Sequence, residues 1–187
     1  MKPDIARYSL RPVEERDLEM LLAWRNSDRI RSVMYTDHVI QMDEHRRWFR
    51  GLAEGAAAHA LIFEQDGRPL GTVNITRIDE SGKSCHWGFY LGEPDAPRGS
   101  GAVMGYLGLS YIFGTLKLDR VTGEAFSFNR ASVRFHGKLG FRSERDTGRK
   151  VLKNGIQEEV LTFTLTRDRW EKIKDDVLKD LTAGDGT

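Results

Sequence analysis

An arginine and two glycines form the stretch of this sequence that is best suited to hold an anion. Arg98, Gly99 and Gly101 follow an apolar run, 87–91, that predicts a strand, and they precede a run that predicts a buried helix. A tight turn into a helix gathers backbone N–H groups without helical partners at the positive end of the helix dipole. Glycine lets the backbone approach a ligand closely, and Arg98 adds a positive charge. We interpret the stretch as a pyrophosphate site; the alternative is a helix entry that binds no ligand.

Hydrophobic periodicity predicts the elements that position this turn. The order β-α-α-β-β-β-α-β-α-β-β-α indicates an α/β fold, a mixed sheet of about seven strands with helices on both faces. The predicted strands are 8–13, 58–64, 69–78, 84–91, 120–126, 141–147 and 158–166. The predicted helices are 17–26, 43–52, 103–113, 129–139 and a terminal helix over 168–181, followed by a frayed tail at 182–187.

Length and charge narrow the class of protein. The 187 residues predict a single domain over 1–187. A net charge of +1 argues against binding nucleic acid by bulk charge, and no apolar run is long enough to span a membrane. Cys85 is the only cysteine, so we expect no disulfide and no metal site. The cytoplasm is the expected location, a small molecule the expected partner, and a homodimer the assembly to test.

Two ordered signatures resemble those of the GCN5-related N-acetyltransferase (GNAT) family. The cofactor loop of that family reads Arg/Gln-x-x-Gly-x-Gly/Ala, and residues 98–103 read Arg-Gly-Ser-Gly-Ala-Val, so that Val103 departs from the pattern. The second signature, Asn-x-x-(Ser/Ala)-x-x-x-Tyr-x-Lys-x-Gly-Phe, is matched by 129–141 except that His136 replaces the tyrosine. The resemblance implies the fold of this family, acetyl-CoA as co-substrate and an amine as acceptor.

The resemblance also implies where acetyl-CoA binds. The glycine turn would hold the pyrophosphate, and the strand 84–91 would pair through its backbone with the pantetheine arm. Two parallel strands that separate after Leu91 would make room for that arm, and backbone N–H groups near the strand would polarise the thioester carbonyl. The implied cofactor-binding residues are Phe89, Leu91, Arg98, Gly99, Ser100, Gly101, Ala102, Asn129 and Ser132.

Short motifs in the first part of the chain are similar to the acetyltransferases of the pseudaminic acid pathway. That likeness implies a UDP-linked 4-amino-4,6-dideoxy sugar, of the kind used to glycosylate flagellin, as the acceptor. The implied pocket residues are Arg25, Met34, Tyr35, His45, Thr76, Arg77 and Tyr90. The alternative for Arg25 is a contact with its own helix terminus, and the alternative for His45 is a core histidine. Trp48, Phe49 and Trp170 are predicted to be core residues.

Proton transfer needs an acid and a base. In this family a tyrosine is taken to protonate the departing thiolate, and His136 occupies its position. With a pKa of about 6.5 against about 8.5 for a thiol, an imidazolium would donate its proton downhill. We therefore predict His136 as the general acid; the alternative is a packed histidine, with water as the donor. Glu124 is the candidate base, and a water chain is an equal alternative.

Two other functions remain open at this point. One is acetylation of a protein N-terminus, as in ribosomal-protein relatives of this fold, or of another small amine. The other is a binding module that keeps an acetyl-CoA site as a sensor or scaffold.

Overall fold

The computed structural model describes residues 3–36, 38–53, 57–144 and 149–182, and the strands within them form one mixed sheet. The eight strands are β1 (Tyr8–Pro12), β2 (His59–Gln65), β3 (Arg68–Asp79), β4 (Ser84–Leu91), β5 (Arg120–Phe126), β6 (Arg142–Glu144), β7 (Lys150–Lys153) and β8 (Ile156–Thr166). Their order is β1-β2-β3-β4-β5-β8-β6, with β7 also paired to β8. β4 and β5 run parallel, and the other pairs are antiparallel.

The described part of the chain contains six α-helices. They are α1 (Leu18–Asn26), α2 (Asp28–Arg31), α3 (Met42–Ala53), α4 (Ser100–Ser110), α5 (Arg130–Lys138) and α6 (Arg167–Thr182). A π-helical turn, Tyr111–Thr115, extends α4. Among the described residues, no helix is both long and apolar enough to cross a bilayer.

Each face of the sheet has its own apolar core because strand side chains alternate in direction. On β2, Ile62 packs with Leu21 and Trp24 of α1. Its neighbours Leu61 and Phe63 belong to the larger core on the other face, which contains the buried side of α4. The predicted α/β sheet with helices on both faces is therefore confirmed.

The sheet divides between β4 and β5. Their ladder runs from the Ser84–Arg120 pair only as far as Trp87–Gly123. Beyond that point β4 stays with β3 through Leu91, while β5 stays with β8 through Phe126. The strands diverge because each follows its other neighbour. The prediction that they separate after Leu91 was wrong by four residues.

The start of α4 and the strand β7 also differ from the prediction. The predicted helix 103–113 begins at Ser100, because Gly99 takes a φ of +91° that turns the chain into the first helical turn. β7 was missed because four residues with two lysines carry little apolar pattern. The predicted turn at Asn154 and Gly155, both at positive φ, joins β7 to β8 as a hairpin.

Some predictions fall outside the described residues. The predicted strand 141–147 is seen as Arg142–Glu144, and 145–148 are not described. The same holds for 183–187 of the predicted frayed tail. The assignment of 1–187 to a single domain stays a prediction.

Candidate active site

A cavity of about 480 Å³ occupies the gap between β4 and β5. We call it the inter-strand cavity. It opens where backbone groups of β4 have lost their β5 partners, so one edge of β4 is available to a ligand. The structure brings nine of the predicted site residues to its walls: Met34, Tyr35, Phe89, Tyr90, Leu91, Gly101, Glu124, Asn129 and Ser132.

The start of α4 forms one end of this cavity. Its N-cap is Gly99, which has no side chain to cap the first helical turn, and Gly101 lines the cavity. Arg98 is exposed at the turn. Ser100 differs from the prediction: it is fully buried, its hydroxyl lies 3.3 Å from that of Tyr8, and its N–H donates to a backbone carbonyl of the turn. Ser100 thus anchors α4 to β1, and its side chain does not face the cavity.

The opposite wall is the start of α5. The Asn129 side chain accepts a hydrogen bond from the Ser132 N–H at 3.2 Å, which caps the helix. The Asn129 N–H donates to the Phe126 carbonyl at 2.9 Å. These bonds fix the start of α5 directly after β5, so both predicted residues are held at the cavity wall.

His136 lies behind this wall and not in it. The imidazole is 1% exposed, is stacked on Phe163 at 4.4 Å, and lines neither cavity of the candidate site. It donates from Nδ1 to the Ser132 carbonyl at 2.9 Å, and no described residue forms a hydrogen bond with Nε2. Burial lowers the pKa of His136 to about 4, so the ring is neutral at pH 7. Its role as general acid stays a prediction, and this geometry does not support it.

Glu124 reaches the inter-strand cavity as part of a charged cluster. Its carboxylate accepts a hydrogen bond from the Tyr35 hydroxyl at 2.8 Å and pairs with Arg149. The pKa of Tyr35 is raised, first by burial and then by this hydrogen bond. His86 Nε2 lies 3.7 Å from the Glu124 carboxylate without a hydrogen bond, and burial lowers the pKa of His86. The carboxylate of Glu124 and the neutral imidazole of His86 thus lie close together where β4 and β5 separate.

A second cavity, of about 310 Å³, lies between the sheet and the helices α1 and α3, and Met34, Thr36 and Ile40 complete its lining. We call it the helix-lined cavity. Both cavities share Met34, Gly88, Phe89 and Tyr90. A Cβ placed on Gly88 would meet nothing within 4 Å, so the space above this residue is open. Gly88 therefore marks the place where ligands in the two cavities can meet.

The helix-lined cavity contains two polar side chains without partners. Arg25 Nη1 and His45 Nε2 are inaccessible to water and have no hydrogen-bond partner among the described residues. Burial lowers the pKa of both groups. Burial also raises the pKa of Tyr90, to about 12, so this phenol is neutral. The cavity therefore presents an unpaired cation and an unpaired imidazole nitrogen.

Two predicted pocket residues are not brought to either cavity. Thr76 pairs with His86 across β3 and β4, and its hydroxyl donates to the His86 carbonyl at 3.4 Å. Arg77 is exposed and adopts a φ of +50° at the irregular end of β3. Its charge reaches His86 and Tyr35 and opposes protonation of His86. The end of β3 that carries Thr76 and Arg77 therefore lines neither cavity, whereas Thr72 and Asn74 of the same strand line the helix-lined cavity.

The loop that carries Met34 and Tyr35 is held from a distant part of the chain. Lys153, at the end of β7 and 5% exposed, donates to the Met34 carbonyl at 2.6 Å. Arg29 of α2 donates to the carbonyls of Leu91, at 3.0 Å, and Gly92. The Leu91 carbonyl is therefore already used by the protein. Neither contact has a sequence signal, because each joins residues that are far apart in the chain.

Other site residues were missed although a signal existed. His86 and Gly88 share a strand face with Tyr90 by their spacing of two, so the alternation of β4 could have added them. Trp48 was predicted to be a core residue, but it is 38% exposed and lines the helix-lined cavity, as does Glu44. Trp48 was assigned to the core because it lies on the apolar face of α3, but this face also borders the cavity. Among the described residues no group of three potential ligands could hold a metal ion.

Comparison with known proteins agrees with this geometry. Residues 7–142 match the family model described as an acetyltransferase (GNAT) domain. The chain is 27% identical to acetyltransferase PseH of Campylobacter jejuni over 129 residues, which cover 69% of this chain and 79% of that one. It is also 27% identical to the SPbeta prophage-derived N-acetyltransferase YokL of Bacillus subtilis over 128 residues, 67% of this chain and 71% of that one.

A solved structure shares the fold at lower identity. The spermidine N-acetyltransferase of Vibrio cholerae, in complex with CoA and spermine, superimposes with a TM-score of 0.80 at 19% identity. The match covers 89% of this chain and 99% of that one. Because the family model spans well over half of the sequence, the resemblance carried by the two signatures is confirmed. The chain belongs to the GNAT acetyltransferase family and is an acetyl-CoA-dependent N-acetyltransferase.

Proposed function

We propose that this enzyme transfers acetyl from acetyl-CoA to the 4-amino group of a UDP-linked amino-dideoxy sugar. The observation that carries the proposal is the unpaired guanidinium of Arg25 in the helix-lined cavity. The sequence similarity to PseH is a second support.

Arg25 favours an anionic acceptor. An arginine keeps its charge when it is half-buried, and the carboxylate of Glu44 in the same cavity interacts with Arg25 electrostatically but forms no ion pair with it among the described residues. A phosphate on the acceptor would bind the guanidinium directly through charge-assisted hydrogen bonds. A polyamine, such as the spermine bound in the V. cholerae relative, would bring a second positive charge to the same cavity. We therefore prefer a diphosphate-bearing acceptor to a polyamine.

The inter-strand cavity suits acetyl-CoA, which supplies an acetyl group activated as a thioester. We assign the pyrophosphate to the turn at Arg98, Gly99 and Gly101, with Ala102 in the same helical turn. The β4 edge at Phe89 and Leu91 would face the pantetheine arm, and Asn129 and Ser132 would form the far wall. The open edge of β4 and the uncapped start of α4 are the features that fit this ligand.

We assign the removal of the proton from the acceptor amine to Glu124, which lies where β4 and β5 separate. The acceptor amine would approach the thioester carbonyl above Gly88, and the proton it loses would pass to Glu124 directly or through water. Tyr35 and Arg149 fix the orientation of this carboxylate. Since His136 is neutral and enclosed, we assign the proton of the leaving thiol to water. The cytoplasmic location and the homodimer stay predictions.

The acceptor is tested by measuring CoA release with three amines: the UDP-linked amino sugar, spermidine and a peptide with a free N-terminus. We expect the highest kcat/KM for the UDP sugar. Arg25→Gln should raise the KM for this acceptor about 10- to 150-fold, the effect of losing a hydrogen bond to a charged group. Arg47→Gln is the matched control, because Arg47 is exposed on α3 and lines neither cavity.

A higher kcat/KM for spermidine or for the peptide would overturn the proposed acceptor. An unchanged KM in Arg25→Gln would contradict the argument that the charge of Arg25 favours an anionic acceptor. If the protein binds acetyl-CoA but no amine increases CoA release, the remaining alternative is the acetyl-CoA-binding module.

A further inference from the structure

We propose that Trp48, stacked on His45, is the shelf on which the nucleobase of the acceptor lies. This inference rests on the proposed function, because it names the part of a nucleotide-linked acceptor that fills the far end of the helix-lined cavity. The site would take a planar heteroaromatic ring.

Trp48 differs from the other tryptophans of this protein. Trp24, Trp87 and Trp170 are at most 7% exposed, whereas Trp48 is 38% exposed and lines the helix-lined cavity. Such a large aromatic surface at a cavity wall is an unused contact surface for a flat ring. Stacking of a base on an aromatic side chain depends on the planar face and needs few hydrogen bonds.

The ring of His45 packs against the ring of Trp48. The two rings lie 5.0 Å apart, at an interplanar angle of 16°. His45 is 7% exposed, and the backbone of Leu18 lies near enough to its ring to favour the protonated form, although burial lowers the pKa of His45. Its Nε2 has no hydrogen-bond partner among the described residues.

The order of groups along the cavity matches a sugar nucleotide. Gly88 and Tyr90 lie at the β4 end, where the acetyl group is transferred, and Trp48 lies at the α3 end. Arg25 is close enough to Tyr90 at one end and to Glu44 of α3 at the other to interact electrostatically with both. We place the diphosphate at this cation, in the same cavity as both ends. An amino sugar, a diphosphate and a base would meet Gly88, Arg25 and Trp48 in that order.

Intrinsic fluorescence tests the shelf directly, because Trp48 is the one exposed tryptophan. The CoA-bound protein is titrated with UDP, UMP and ribose 5-phosphate. We expect UDP and UMP to quench the fluorescence and ribose 5-phosphate, which has no base, to leave it unchanged. Trp48→Leu should abolish the quenching and weaken UDP binding, measured by calorimetry, about 5- to 100-fold.

Two further variants separate stacking from general packing. Trp48→Phe keeps an aromatic face and should retain most of the UDP affinity while losing the quenching. Phe128→Leu is the control, because it removes another exposed ring that lines neither cavity. With the UDP sugar as acceptor, Trp48→Leu should raise KM and leave kcat unchanged, as expected for a contact made equally in the ground and transition states.

The outcomes distinguish this inference from the proposed function. If the UDP sugar is acetylated but Trp48→Leu binds UDP as tightly as the wild type, the shelf is refuted and the acceptor stands. Quenching by ribose 5-phosphate equal to that by UMP would also refute it. If neither UDP nor UMP binds, both the shelf and the UDP-linked acceptor are refuted.

Discussion

His136 is the residue whose chemistry depends most on its surroundings. Phe89, Phe141 and Phe163 enclose its ring, and the backbone carbonyl of Ser132 takes its Nδ1 proton. An enclosure without a negative partner disfavours the imidazolium, and this is why its pKa falls to about 4. The position that a tyrosine occupies in the family signature is thus filled here by a neutral packing residue.

The pH dependence of stability tests this view. The unfolded chain binds a proton at His136 below a pKa of about 6.5, and the folded chain only below about 4. Its contribution to the free energy of unfolding is therefore complete above pH 6.5 and is lost as the pH falls towards 4, by about 3 kcal/mol in all. In urea unfolding, His136→Phe should flatten the pH dependence in that window; the buried His45 and the half-buried His86 leave a smaller slope of the same sign.

Activity of the same variant tests the acid role. We expect His136→Phe to keep turnover of the wild-type order from pH 6 to 9, once its concentration is corrected for folded protein. A large loss of kcat, together with the loss of one limb of the pH–rate profile, would restore His136 as the general acid. An unchanged pH dependence of unfolding would contradict the low pKa.

At the level of elements, β4 has two different halves. The half that contains Ser84, His86 and Trp87 pairs with both neighbours, and residues 88–91 pair with β3 alone. The second half therefore offers backbone groups to a ligand on one edge and side chains to the helix-lined cavity on one face. Gly88 lies where the pairing changes and lines both cavities, and a Cβ at this position would meet no described atom within 4 Å.

Substitution of Gly88 tests the place of transfer. Gly88→Val should fold normally, because the space is open and β-branched residues suit a strand. Its side chain would occupy the meeting point of the cavities, so we expect kcat/KM to fall at least about 100-fold, as misplacement of reacting groups can cost. The kcat/KM of Gly88→Ala should lie between those of the wild type and Gly88→Val. The affinity of both variants for acetyl-CoA, measured by calorimetry, should change little. Equal activity in all three proteins would place the transfer elsewhere.

At the level of the whole molecule, the inter-strand cavity divides the sheet into two parts. β1 to β4 lie on one side of the gap, and β5, β8, β6 and β7 lie on the other. α4 and α5 meet at the gap, with Gly101 and Asn129 on its opposite walls. A ligand in the gap touches both parts, so its binding should stabilise the fold as a unit.

Thermal unfolding with acetyl-CoA tests this coupling. At a concentration of about 100 times Kd, a ligand that binds only the folded state adds about 2.7 kcal/mol. For a chain of this length the Tm should rise by about 5–10 °C. Pantetheine alone, which lacks the pyrophosphate, should give a smaller rise at the same concentration. An equal effect of the two ligands would contradict the assignment of the glycine turn to the pyrophosphate.

Short-range spacing predicted much of this protein. The glycine turn, the Asn129 cap and the Asn154–Gly155 turn are set by backbone preferences within a few residues, and the structure has all three. The alternation of apolar residues predicted most strands and the mixed sheet for the same reason. The two family signatures lie in such local segments, and for this reason the class of enzyme could be inferred from the sequence.

Only the tertiary structure decided which side chains meet. The hydrogen bond from Tyr35 to Glu124 spans 89 residues of sequence, and that from Lys153 to the Met34 carbonyl spans 119. Whether a ring on an apolar stripe is enclosed, as His136 is, or borders a cavity, as Trp48 does, depends on what packs against it. The sequence by itself determined the family and the local turns because those follow from neighbouring residues. The pairing of charges, the shift of each pKa and the lining of the cavities depend on distant segments, which only the fold brings together.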